Sequence, residues 1–178
     1  MPQTEARKIL KDAPIMWRRI NSIGIILDCN STYAANLGYV KSEIIGKSIF
    51  EHVPKESWET MNDSLKTWFD TGNVTNRRIT FKRQDKSTFP VLLQATSLYD
   101  ENKNLLGSNT VIFDLTQMAD DKIIEYEVFF KEANSRLNEI KETEYEQLDQ
   151  NSKSEYNGLK KMFDMLLKID LRELKQLF

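Results

Sequence analysis

Chemistry in this chain would have to rest on very few of the usual side chains. There is one histidine, His52, and one cysteine, Cys29. Together they fall short of the nitrogen and sulfur ligands that a zinc ion takes, so no metal site is expected. Asp149-Gln150-Asn151 has the opening of a calcium loop, but Lys153 stands at a ligand position, Ser154 replaces the glycine and Lys160 replaces the closing glutamate. No phosphate loop with its lysine, no dinucleotide glycine fingerprint and no nucleophile elbow occurs. With no nucleophile and base in view, no catalytic residue is expected and the chain does not read as an enzyme. Arg77, Arg78, Lys82 and Arg83 form the one tight basic cluster, in a β-like stretch where they read as a solvated strand face.

Composition narrows the classes further. The chain has 178 residues, enough for one domain with a sound core plus an extension. Apolar residues make up 40% and aromatics 10%, which argues against wholesale disorder. Lysine plus arginine (25) nearly balance aspartate plus glutamate (27), and a net charge of -2 gives no reason to expect nucleic acid or an anionic membrane as partner. A lone cysteine makes no internal disulfide and fits a reducing compartment. The first residues, MPQTEARKILKDAP, lack the apolar stretch of a secretory signal, and no run of about 18 apolar residues exists to span a bilayer. A cytoplasmic location is expected, with the glycosylation sequons at Asn30 and Asn73 idle.

The elements that must carry these side chains change character near residue 118. Five of the six glycines and all four prolines precede it, and only Gly158 follows. Thr4 to Lys11 reads as a short amphipathic helix closed by Pro14, within an N-terminal helical segment 1–14. Ile15 to Ile20 and Gly24 to Asp28 read as strands. Asn30 to Gly38 is a short helix capped by Asn30 or Ser31, and Ser42 to Ile45 and Ile49 to His52 are single turns. Pro54 opens a longer helix to about Thr71, with Trp58, Met61, Leu65 and Trp68 on one buried face. Three strands follow, Val74 to Arg83, Ser87 to Tyr99 and Leu106 to Leu115. In the middle one Val91, Leu93, Ala95 and Ser97 are expected inside, and Gln94 in water. The sum is an α+β domain, a single antiparallel five-stranded sheet with helices on one face.

That order resembles the PAS family, and specific residues carry the likeness. Gly24-Ile25-Ile26-Leu27-Asp28-Cys29-Asn30 is similar to the family's second strand and its asparagine. Leu37-Gly38-Tyr39 with Glu43-Ile44-Ile45-Gly46-Lys47-Ser48 resembles the segment that follows, and Asp114-Leu115-Thr116 resembles the triplet closing many PAS domains. The likeness covers about residues 15–118 and implies a sensor domain. It also implies that Asp114 and Thr116, at the corner where the last strand leaves the sheet, couple the sensor to its output, with Asn30 a further coupling candidate beside its plain role as a cap. Haem-bearing members use a histidine on the longer helix, whereas His52 lies before Pro54. Flavin-binding members use a reactive cysteine in another setting, whereas Cys29 reads as a buried, inert thiol. No cofactor is therefore expected. A pocket for an unidentified small molecule would be walled by Trp58, Met61, Leu65, Trp68, Leu93, Ala95 and Ser97, of which the small Ala95 and Ser97 would equally fit beneath tryptophan rings in a filled core.

After residue 118 a helical segment, 119–178, is expected. Ile123, Tyr126, Phe130, Ala133, Leu137 and Ile140 alternate spacings of 3 and 4, a heptad seam on a helix of about 28 residues, roughly 40 Å long. Such a stripe must meet a partner or fold back on the sensor. A polar break over Asp149 to Ser154 precedes a second helix bearing Leu159, Met162, Phe163, Leu166, Leu167, Leu171, Leu174 and Leu177. The tail thus reads as a long helical hairpin or a continuous coiled coil, with homodimerisation through the seam the leading expectation. The function expected is a non-catalytic sensor that couples ligand or partner binding to a dimeric helical output acting on a downstream signalling protein. The alternatives are a ligand-free interaction adaptor, or the sensory fragment of a histidine kinase-like protein without its phosphoacceptor histidine.

Overall fold

A computed structural model describes residues 5–176, so the expected helix start at Thr4 and the apolar Leu177 lie outside the described residues. Helix α1 (Glu5–Lys11) leads into strands β1 (Met16–Ile20) and β2 (Ile26–Cys29). Helices α2 (Ser31–Leu37) and α3 (Lys41–Ile44), 3-10 turns over Ile49–His52 and Lys55–Ser57, and helix α4 (Trp58–Thr71) follow. Strands β3 (Asn73–Lys82), β4 (Thr88–Tyr99) and β5 (Leu105–Asp114) complete an antiparallel sheet of order β2-β1-β5-β4-β3. A 3-10 turn over Leu115–Gln117 then delivers α5 (Asp120–Asn138), α6 (Glu142–Glu146), α7 (Gln150–Leu167) and α8 (Leu171–Gln176).

Local chemistry accounts for the punctuation. Asn30 caps α2 by accepting the Tyr33 amide, and Gly38 ends it at φ 79°, the left-handed conformation that a residue without Cβ adopts most easily. Gly107 permits a close approach: a Cβ there would stand 1.8 Å from the Ile20 carbonyl oxygen. Gly24 to Asp28 as an expected strand shortens to Ile26–Cys29, because the chain at Gly24 turns at φ 81°.

The sheet is covered on both faces, each holding its own core. Met16, Ile20, Val91, Leu93 and Ile112 join α2, α3 and α4 on one side, and this is the layer the sequence led us to expect. Trp17, Leu92, Val111 and Phe113 point the other way and are covered by α1, α5, α7 and α8. The tail therefore folds back on the sensor, the second of the two fates open to its apolar stripe. Gln94, expected in water, is 0% exposed beneath the tail; its Oε1 accepts the Asn76 backbone N–H and its Nε2 donates to Asn76 Oδ1.

The tail is a hairpin rather than one continuous coiled coil. Phe130 meets Phe163, and the Tyr156 hydroxyl donates to the Leu137 carbonyl, so α5 and α7 run antiparallel. The first helix stops at Asn138, well short of the expected 28 residues, and the polar break falls earlier than Asp149 to Ser154. Asp149 is instead the cap of α7, accepting the Ser152 amide at 2.7 Å, so Ser152 to Ser154 are helical. Helix α8 returns to the start of α5 through Arg172–Glu127 (2.6 Å) and Lys175–Asp120 (3.3 Å) pairs.

Candidate functional site

The strand register lays one ladder across the sheet beneath α4: Arg18 of β1 opposes Thr110 of β5, Thr110 opposes Ala95 of β4, and Ala95 opposes Val74 of β3. Because side chains alternate along strands, all four point into the layer shared with α4. With Met61, Ser64, Leu65 and Trp68 from α4 they border a cavity of about 20 Å³, room for about one water.

Of the candidate pocket residues, Met61, Leu65, Trp68, Leu93 and Ala95 are brought together at this cavity. Ser97 stands outside it, accepting the Trp68 indole N–H at 2.8 Å and donating to the Gly72 carbonyl at 2.7 Å. Trp58, expected on the buried face, is 41% exposed, since its indole N–H is drawn to the Val53 carbonyl at the helix start. Arg18 was not singled out from the sequence. A pair of arginines, Arg18 and Arg19, inside an apolar run (Ile15, Met16, Trp17, then Ile20) was the available signal, because a strand buried on both faces exposes none of its side chains.

Arg18 is 2% exposed, and its guanidinium donates to the Tyr33 hydroxyl at 3.1 Å. It also lies 5.3 Å from the Phe81 ring centre and 5.8 Å from that of Tyr33. Tyr33 in turn contacts His52 Nδ1 at 2.9 Å. Since Tyr33 accepts from Arg18, its hydroxyl proton is free to point at His52 Nδ1, leaving that ring neutral with its proton on Nε2. Burial, and then the charges of Arg18 and Lys82, push His52 down to about 4. Cys29, opposite Arg18 on β2, is buried, and that burial pushes its thiol up to about 11, the state of an inert sulfur. Among the described residues no group of three or more His, Cys, Asp or Glu is placed to hold a metal.

The coupling candidates sit at joints. Asn30 is 3% exposed and uses its whole amide: Oδ1 accepts from Trp17 N and Tyr33 N, and Nδ2 donates to the carbonyls of Leu10 and Ile15. It thereby ties α1, β1 and α2 together. Asp114 Oδ1 accepts the Thr116 amide at 2.9 Å and hydroxyl at 2.6 Å, fixing the turn from which α5 departs. Its second oxygen lies 4.0 Å from Arg83.

The seam candidates lie against the sheet. Ile123, Tyr126, Phe130, Ala133 and Leu137 are all buried within the chain, and Ile140 is half-buried at the edge of the same cluster. Phe113 of β5 meets Tyr126 and Phe130 edge-on at 5.5 and 6.2 Å, and burial pushes the Tyr126 phenol well above its ordinary range. A charged lattice pins the other side: Arg7 contacts Glu155 at 2.9 Å and Asp28 at 3.6 Å, Lys41 contacts Asp28 at 2.6 Å, and the buried Arg19 reaches Glu155 at 3.8 Å. A larger groove of about 410 Å³ runs past Arg7, Asp28 and Lys41 between α1, β2 and α2. There Arg7 and Lys41 already answer Asp28.

Comparisons with known proteins agree with this architecture. The PAS fold family model matches residues 4–114. A PAS domain of a protein from Colwellia psychrerythraea is similar with a TM-score of 0.56 and 18% identity, over 61% of this chain and 92% of that one. A PAS domain of a LuxR-family transcriptional regulator from Burkholderia thailandensis, in complex with ethanol, gives 0.53 and 20% over 62% and 96%. The PAS-B domain of Drosophila melanogaster Cycle, with bound ethylene glycol, gives 0.52 and 17% over 56% and 98%. At such identities these likenesses speak for the fold alone. No curated protein matches. Sheet order, helical layer and family match agree: the chain belongs to the PAS family, generally a sensor and signalling module.

Proposed function

We propose that the chain is a non-catalytic sensory module in which the cavity beneath α4 is the input and the docked helical hairpin the output. The observation that carries this is the sharing of β4 and β5 between the two layers. Leu93, Ala95 and Thr110 border the cavity, whereas their immediate neighbours Leu92, Gln94 and Val111 lie under the tail. A strand moved by a fraction of an ångström from one side presents a changed surface to the other, because packed interiors transmit displacement rather than absorb it.

The docking surface suits release. Arg19 Nη2, Thr96 Oγ1 and Asn109 Nδ2 are buried without hydrogen-bond partners, and these three residues form one cross-strand row on the tail side of the sheet. Each orphaned group costs about 1–3 kcal/mol, a cost that hydration on undocking removes. Released, the stripe of Ile123, Tyr126, Phe130, Ala133, Leu137 and Ile140 offers a second copy the seam that its spacing describes, and a homodimer is the output state of this reading. A downstream signalling protein would read that dimer. The balanced charge gives nucleic acid and membrane no part, and the buried thiol suits the cytoplasm. Among the described residues no helix is long and apolar enough to cross a membrane.

The small cavity favours one second reading, a ligand-free adaptor in which partner binding alone moves the tail. Hydrogen exchange on the full chain tests the coupling common to both. Ala95→Val, which fills the cavity, is expected to speed exchange of α7 amides about tenfold while β4 and β5 stay protected. Unchanged α7 exchange in a folded variant removes the coupling. Native mass spectrometry then separates the two readings: a retained small mass favours sensing, a bare mass the adaptor.

A further inference from the structure

We infer that the cavity beneath α4 binds a monatomic anion, of the size of chloride, held by Arg18 and Ser64. The inference rests on reading this cavity as the input of the sensor, and it gives that input a chemical class.

Arg18 brings a guanidinium cation into this layer. It is 2% exposed, and among the described residues it makes no ion pair. The surroundings offset that charge only in part. One N–H donates to Tyr33, and the aromatic faces of Phe81 and Tyr33 lie at 5.3 and 5.8 Å. The Nε N–H has no partner. On the opposite wall the Ser64 hydroxyl, 5% exposed, is also unpartnered. Both residues border the same cavity, whose remaining wall is mostly apolar, with Ile20, Ile49, Met61 and Leu65, and includes Ser108 and Thr110.

Two residues with unpartnered donors, one of them cationic, therefore border one mostly apolar pocket. A water there would accept a hydrogen bond yet leave the charge uncompensated, whereas an anion satisfies both donors and the charge. At about 20 Å³ the space suits a monatomic anion about the size of a water and excludes carboxylates and sulfate.

Thermal unfolding of the full chain in chloride, with gluconate holding ionic strength constant, tests this. The wild-type Tm is expected to rise by about 3–6 °C for each tenfold increase in anion above its Kd. Arg18→Met, which removes the charge and nearly keeps the volume, is expected to show no such slope. Equal slopes in the two proteins, or none in the wild type, overturn the proposal. Should Arg18→Met fail to fold, wild-type crystals grown in bromide decide: an anomalous peak between Arg18 Nε and Ser64 Oγ upholds the site, and its absence removes it. A bound anion with unmoved α7 exchange would keep this site and discard the coupling to the tail. Coupling without an anion would do the reverse.

Discussion

Single side chains in this protein act mostly as joints between elements. Asn30 was legible from the sequence because an asparagine before a short helix is a cap. That its amide also receives Trp17 and holds Leu10 and Ile15 was not legible, because those partners are assembled only by the fold. His52 shows the same limit: its neighbours in sequence say nothing of Tyr33. Its titration gives a stability test. The folded value is depressed from 6.5 to about 4, so between those values the unfolded chain binds the extra proton and stability falls as pH drops from 6.5 towards 4. The loss is on the order of 3 kcal/mol, and above pH 6.5 this residue contributes no slope. His52→Asn keeps an acceptor for the Tyr33 hydroxyl without the titration. Urea unfolding across pH 4–7 is expected to show a slope shallower by about one proton in the variant. An unchanged slope would place the acid sensitivity elsewhere.

At the scale of elements, boundaries were readable wherever a turn residue has its own conformational chemistry, as at Gly38 and Gly72, both in left-handed backbone. The second helical layer was read only as one of two fates of the tail, because Gln94 gave the outer face of the sheet a wet look. The signal against that reading was the unbroken Val111-Ile112-Phe113 run, since a strand with one solvated face alternates and a strand buried on both does not. Gly158 marks where α7 meets the sheet. A mid-helix glycine costs about 1 kcal/mol relative to alanine. Here a Cβ would stand 2.5 Å from Leu98 Cδ1 and 3.2 Å from Asn109 Nδ2. Gly158→Leu is therefore expected to lift α7 from the sheet despite its better helix propensity, destabilising the chain by about 2 kcal/mol in urea unfolding. Sedimentation velocity is expected to show new self-association of the freed seam at micromolar concentration. A variant as stable and as monodisperse as the wild type would mean that α7 rests on the sheet without depending on it.

For the whole molecule, the tail is part of the domain's core as much as it is an appendage. A chain ending at Met118 would uncover Trp17, Leu92, Val111 and Phe113 together, a patch large enough to be sticky. It is expected to bind a hydrophobic dye, to self-associate, and to unfold roughly 10 °C below the full chain. Equal stability with no dye binding would make the tail a passenger. The unequal legibility of the two halves has the same root: residues 15–118 carry their own turn grammar, whereas the resting place of a heptad stripe depends on a surface distant in sequence. The double covering of the sheet also gives the chain two indoor fluorophores on opposite sides of one wall. Trp68, bonded to Ser97, shares the cavity layer, while Trp17, with the Arg19 guanidinium 5.2 Å from its ring, shares the tail layer. Trp58, half in water, is within reach of aqueous quenchers that the other two do not meet. Intrinsic emission, resolved by lifetime, can thus report on input and output as separate channels without a label.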